Sequence, residues 1–303
     1  MEFYVFHIIT FLMLVVTNAA TLPPQLYWKS MLPNTTMPKA ITNLLRPVAE
    51  YWSEGKATWI NDADGVEFNV YYVYPEKVEH NISNLGNFFL KKDLHDGKKL
   101  SMIFPKTTSN NNVAKFLPKE VADSIPFSSN KMENILHKLS IKKGTKEYKI
   151  VKKTINECES KGIKGEEKLC VTSLESMVDF TTSKLGKNVE AISTEVKKES
   201  NEFQEYVIEK GVKKLGDKNK TIVCHKENYP YAVFYCHKTY TTEVYSVSLE
   251  GVDGNRVKTV AVCHTDTSQW NPKHLAFQVL KVEPGTVPIC HLPPQNHVVW
   301  VSK

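Results

Sequence analysis

The chain has 303 residues, 41% of them hydrophobic, and a formal charge of +6, enough for one large domain and an extension. The basicity is mild and acids are interspersed, so nucleic acid is not the implied partner. Runs such as Lys142-Lys143 and Lys152-Lys153 read as solvated helix faces, the alternative being weak attraction for an acidic polysaccharide. No G-x-S-x-G, H-E-x-x-H or phosphate-binding glycine loop is present, so no catalytic residue is marked.

From Phe3 to Thr17 the sequence is apolar, and small residues follow at Ala19 and Ala20. Such a run is short for a bilayer span and reads as a signal peptide over residues 1–20, giving an exported mature chain. Export makes the cysteines informative. Six in an oxidising compartment suggest three disulfides, for which fifteen pairings are open. Cys158 and Cys170, 12 positions apart, most simply bridge each other. Sequons at Asn34, Asn81 and Asn219 are candidate glycosylation sites.

Residues 21–86 contain six prolines and no sustained period, the pattern of an extended arm. The domain proper is expected over 87–303. It opens on Phe88-Phe89-Leu90 and includes a polar loop from Thr107 to Asn112. A helix is predicted after Ser128-Ser129-Asn130, through Ile135, Leu136 and Leu139, and a second from Thr145 to about Glu157. Thr172 with Glu175 suggests a capping box for a third, with Leu174, Met177 and Val178 on one face and an end near Gly186. From Phe203 the pattern turns to strands, with Asp253-Gly254-Asn255 as a hairpin turn. The expected fold class is α+β, with a helical first half and a β-rich C-terminal half carrying four Cys-His doublets.

Those doublets are Cys224-His225, Cys236-His237, Cys263-His264 and Cys290-His291, each ending a run rich in β-branched or aromatic residues. Neighbouring side chains in a strand point to opposite faces, so each cysteine and its histidine look apart. If the four strands share a sheet in register, a disulfide layer backs a histidine cluster. Zinc fits poorly, because the nearest cysteines are 12 positions apart instead of the short loops zinc sites use. Clustered imidazoles either tie strands and loops together as partly buried polar residues or bind a transition metal, and for a metal the oxidising setting suits Cu(II) best. His225, His237, His264 and His291 are the candidate ligands, with His95 and His297 as weaker ones. Asp266 is a candidate to orient His264, and Trp300 a core residue.

The array CH-x10-CH-x25-CH-x25-CH-x8-W, ending at Trp300, resembles the signature of the BURP domain, a plant family of secreted proteins. Asp93-Leu94-His95 with Gly97, and Cys170 through Phe180, resemble further family motifs. The opening Tyr27-Trp28-Lys29-Ser30 is similar to the seed-protein and dehydration-responsive branch. The resemblance implies a seed- or stress-associated protein of wall or vacuole, and strengthens copper as the metal. Some members are copper-dependent peptide cyclases that use dioxygen to crosslink a Trp or Tyr of their own chain, in segments that begin with Gln. Gln25-Leu26-Tyr27-Trp28 is the segment here that begins and ends in that way.

Overall fold

The structure, a computed structural model, describes residues 22–46, 87–105, 114–217 and 219–303. The expected signal peptide, the polar loop Thr107–Asn112, Asn81 and the greater part of the expected arm lie outside these residues. In chain order the first strands are β1 (Phe88–Leu90), β2 (Lys99–Phe104), β3 (Glu167–Val171), β4 (Val189–Ile192), β5 (Glu195–Val196), β6 (Ser200–Ile208) and β7 (Lys213–Leu215). Then come β8 (Thr221–Lys226), β9 (Phe234–Lys238), β10 (Thr242–Gly251), β11 (Arg256–His264), β12 (Ile289–His291) and β13 (Val298–Ser302). The helices are α1 (Pro24–Met31), α2 (Lys39–Thr42), α3 (Lys119–Ser124), α4 (Met132–Lys138), α5 (Lys146–Glu159), α6 (Leu174–Leu185) and α7 (Leu275–Leu280).

Two antiparallel sheets result. The larger runs β1-β12-β11-β10-β6-β2, with β5 beside β11 and β7 beside β10; the smaller runs β3-β9-β8-β13-β4. The larger sheet rolls up. Asn87, just before β1, donates to the Ile103 carbonyl at 3.0 Å and accepts from the Ile103 amide at 3.1 Å, which stitches the first strand of the order to the last. Phe89, Met102, Tyr206, Leu249 and Cys263 fill its inside. The other face of β10 and β11 meets the smaller sheet through a valine layer: Val244, Val260 and Val262 from one, Val223, Val299 and Val301 from the other.

The smaller sheet is covered on its outer face by α1, α2 and α6, around Trp28, Ile41, Leu174, Phe234 and Trp300. Buried on both sides, β13 reads Val-Val-Trp-Val-Ser with no polar alternation, as a central strand should. Residues 24–31, expected within an extended arm, are thus helical and part of this core, with Trp28 only 2% exposed. Proline at the first helical positions needs no backbone donor there, so the proline-rich opening suits a helix start. A third core joins α3, α4 and α5 to the β8–β9 connection through Ile135, Ile155, Tyr229 and Val233.

The expected fold class needs correction. The first half is not only helical: β1 and β2 complete the larger sheet and β3 pairs with β9 in the smaller. Nor are the Cys-His doublets metal-binding units. Their cysteines are consumed in disulfides, Cys224–Cys236 and Cys263–Cys290, beside Cys158–Cys170. Among the described residues no three His, Cys, Asp or Glu side chains are grouped so as to hold a metal ion. The physical reason is strand alternation itself, which sends each cysteine away from its own histidine.

The cap of α6 is also corrected. Ser173 and Ser176, not Thr172 and Glu175, exchange side-chain and backbone hydrogen bonds, both at 3.1 Å. Glu175 turns inward instead, 5% exposed, with Oε2 unpartnered. Burial raises its pKa from 4.5 to about 7, against hydrogen bonds from its own amide and Ser173. An acid with a raised folded pKa contributes full stability below its unfolded value and loses it as pH rises through the folded one. Glu175→Gln is therefore expected to leave stability at pH 4 nearly unchanged and to raise it at pH 8 by about 3 kcal/mol. Urea unfolding at the two pH values checks this; an equal effect at both would contradict it.

Candidate functional site

The site begins with register. In the β8–β9 hairpin Cys224 stands opposite Cys236, His225 opposite Tyr235, and Val223 opposite His237. In the β11–β12 pair Cys263 stands opposite Cys290, Val262 opposite His291, and His264 opposite Ile289. The two arrangements are the same. Each opposed cysteine pair closes a disulfide on one face, and the two following histidines become diagonal neighbours on the other, within reach of long side chains. A slip of one residue would turn every imidazole to the wrong face, so each disulfide also holds its histidines in place.

The four doublets divide between two sheets, two to each, and do not share one. The histidine faces are those that carry Val223 and Val262, which meet across the valine layer. His225 and His237 bring their Nε2 atoms to 3.1 Å. His264 and His291 stack, with ring centroids 5.6 Å apart and planes 6° from parallel. Both pairs lie on the faces that meet in that layer, and repulsion from His291 and His264 adds to the lowering of the His225 pKa, after burial and the nearer imidazoles.

Two further imidazoles lie beside these, His297, a weaker candidate by sequence, and His274, which no motif marks. His297, 4% exposed, sets Nδ1 3.0 Å from His225 Nδ1. His274 caps α7, its Nδ1 accepting from the Ala276 amide at 3.1 Å, and packs on Trp270 at 4.6 Å. Trp270 in turn lies 4.8 Å from His264. Burial lowers all these imidazoles: His274 and His291 to about 4, His297 to about 3, His225 and His264 well below the ordinary value, with neighbouring imidazoles adding to the shift in all but His274. Burial thus holds His225, His264, His274, His291 and His297 toward the neutral form, in which a ring lone pair is available to a metal.

The orienting carboxylate is Glu166, not Asp266. Asp266 is exposed and accepts from the Ser268 amide at 2.9 Å. Glu166 Oε1 lies 2.8 Å from His237 Nδ1 and accepts from the Tyr235 hydroxyl at 3.0 Å; Oε2 accepts from the Ile163 amide at 3.0 Å. Burial alone would raise its pKa, but His237 and these donors hold it below the usual value. A carboxylate only accepts, so His237 carries its proton on Nδ1 and turns the Nε2 lone pair toward His225. Gly162 leaves room for this: a Cβ there would stand 2.5 Å from Glu166 Oε2. Nothing in the motif spacing marked Glu166; its position just before β3, which pairs with β9, is the only sequence sign.

Other candidates lie elsewhere. His95 is exposed beside its neighbour's carbonyl. Trp28 packs on Trp300 at 5.3 Å, on the disulfide face of the smaller sheet, so that sheet stands between Gln25–Trp28 and His225 and His237. Gln25 donates to the Arg46 carbonyl at 2.7 Å, and the Tyr27 hydroxyl to Asp179. Asn34 is exposed in a turn, whereas Asn219 is half-buried with a buried, unpartnered Oδ1. Among the described residues no helix is long and apolar enough to cross a membrane.

Copper can be tested against this donor set. Two nitrogens at 3.1 Å can share one ion at ordinary metal–imidazole bond lengths of about 2.0–2.1 Å. Neutral imidazoles with a carboxylate behind one of them match the ligand type. The residues fit, as a pair and not as a ready-made triad.

The BURP domain family matches residues 87–302. The chain is 50% identical to BURP domain protein RD22 of Arabidopsis thaliana over 252 residues, 82% of this chain and 64% of that protein. It is 49% identical to BURP domain-containing protein 3 of rice over 250 residues, 81% of this chain and 57% of the relative. With BURP domain-containing protein 5 of rice, identity is 41% over 290 residues, 94% and 88% of the two chains. The match thus spans about three fifths of the length of the first two relatives. With the family's domain running from Asn87 through both disulfide-backed hairpins to Ser302, the chain belongs to the BURP-domain family of plant proteins, related to RD22.

Proposed function

We propose that the chain is an exported, seed- or stress-associated protein of cell wall or vacuole that binds copper through histidines held by its disulfide-linked hairpins. The observation that carries this is the approach of His225 and His237 with Glu166 fixed behind His237. His225 and His237 would hold the ion, with His264 and His291 as the neighbouring imidazole donors. When bound, copper would supply a Lewis-acidic, redox-active centre. Tyr235 and the Ile163 amide keep Glu166 in place, and Glu166 keeps the ligating tautomer of His237. Three disulfides and no free cysteine support an oxidising compartment, and the apolar run at Phe3–Thr17 supports export. Acidic wall polysaccharide is the proposed partner. An autocatalytic reaction on Gln25–Trp28 is not favoured, because the segment is helical with Trp28 buried across the sheet from His225 and His237.

Equilibrium dialysis against Cu(II) tests the binding. His225→Ala with His237→Ala is expected to weaken retention at least tenfold, and Glu166→Gln by roughly 10–100-fold. His95→Ala should have no effect. Unchanged retention in the double variant would contradict the site. Amino-terminal sequencing of protein from plant tissue tests export: a start at Ala20 or Thr21 is expected, and an intact Met1 would contradict it.

A further inference from the structure

The positive charge of this chain is concentrated. Residues 131–168 hold 11 lysines against 6 carboxylates, so one eighth of the sequence accounts for +5 of the total +6. The rest of the chain is close to neutral. Three of these lysines, Lys149, Lys152 and Lys153, line one open surface groove along α5 with a cavity volume of about 500 Å3.

Helical spacing explains the convergence. Lys149 and Lys153 are four apart, Asn156 and Ser160 continue the same stripe, and Tyr148 with Lys152 forms the stripe beside it. Successive cations therefore stand about one helical turn, roughly 5.4 Å, apart along the groove. Glu157 is the one carboxylate in the lining, and Lys153 engages it at 3.8 Å. Lys149 and Lys152 have no carboxylate partner among the described residues. Tyr148 is half-buried and offers a ring face with a polar tip; Asn156 and Ser160 offer hydrogen-bonding groups. The groove floor is rigid, because Val151 and Ile155 on the opposite side of α5 are fully buried and Cys158 ties its end to β3.

We infer that this groove binds acidic polysaccharide of the polyuronate type, in which every sugar brings one carboxylate, a ring with an apolar face, and hydroxyls. Lysines pair with the carboxylates, Tyr148 packs on a sugar face, and Asn156 and Ser160 meet hydroxyls. The inference rests on the proposed export to a polysaccharide-rich compartment. A nucleic acid would offer phosphates but is absent from such a compartment, and a lipid surface would call for several large apolar side chains, where the lining has Tyr148 alone.

The test is the affinity of the mature chain for de-esterified oligogalacturonate, its methyl-esterified counterpart, and anionic phospholipid vesicles. Binding to the acid form is expected to be at least tenfold tighter than to the ester and to weaken with salt. Lys149→Gln with Lys152→Gln and Lys153→Gln should lower it at least tenfold, and Tyr148→Ala several-fold without changing the salt dependence. Lys258→Gln with Lys273→Gln, exposed lysines elsewhere, should leave it unchanged. Equal loss in that control would reduce the groove to diffuse attraction, and wild-type affinity in the triple variant would overturn it. Vesicles bound as tightly as the oligogalacturonate would also overturn it. A wild-type unfolding midpoint in each variant separates lost binding from lost fold. Copper retention and the amino terminus are read separately, so failure here and failure of the copper or export reading are distinguishable.

Discussion

Replacing Trp300 by alanine is expected to destabilise the mature chain by about 3–5 kcal/mol. Trp300 lies fully buried in β13, the strand between β8 and β4, and packs on Trp28 at 5.3 Å. Trp28 is itself held by its indole N–H, which donates to the Thr35 carbonyl at 2.9 Å. One deletion therefore opens a cavity on the outer face of the smaller sheet and loosens the docking of α1. The Trp300 indole N–H is buried without a partner, so Trp300→Phe removes an unsatisfied donor along with some area. Its expected cost is smaller, about 1–2 kcal/mol. Urea unfolding with unchanged m-values measures both. A loss below about 1 kcal/mol for Trp300→Ala would mean that α1 and β13 do not share a core.

Removing the Cys263–Cys290 disulfide, as Cys263→Ala with Cys290→Ala, is expected to cost about 2–5 kcal/mol. The bridge closes a 27-residue separation and lies fully buried inside the rolled larger sheet. The same replacement at Cys224 and Cys236 closes a shorter loop, of separation 12, so loop entropy alone predicts a slightly smaller loss there. Both losses should appear as a lower urea midpoint, and both should weaken copper retention by freeing the register of the histidine pair on the same hairpin. Full stability in either double variant would show that β-pairing alone fixes these hairpins.

The local content of the fold was legible where one physical rule sufficed. Alternation in a strand separates Cys from His, and it does so in both hairpins. The helices of the 128–186 region follow from periodicity and from Gly186, whose φ of +79° favours glycine at the end of α6. What alternation cannot supply is which strands share a sheet. Four similar runs suggest one sheet, whereas β8 and β9 pair in the smaller sheet and β11 and β12 in the larger. Tyr27-Trp28 was placed in an arm because eight residues of helix have no visible period until Trp300, some 270 positions on, gives Trp28 a partner. Glu166, His274 and His297 carry no spacing signal at all, since they reach the cluster from a turn, a helix cap and a loop.

Pulsed electron paramagnetic resonance of the Cu(II)-loaded mature chain, read through coupling to the remote imidazole nitrogens, addresses the histidine cluster most directly. The wild type is expected to show more than one coupled imidazole, and His237→Ala to lose one of them. Glu166→Gln should keep the number but change the coupling, because it alters the hydrogen bond at His237 Nδ1. A spectrum identical in wild type and His237→Ala, with copper still bound, would place the metal elsewhere and contradict the account.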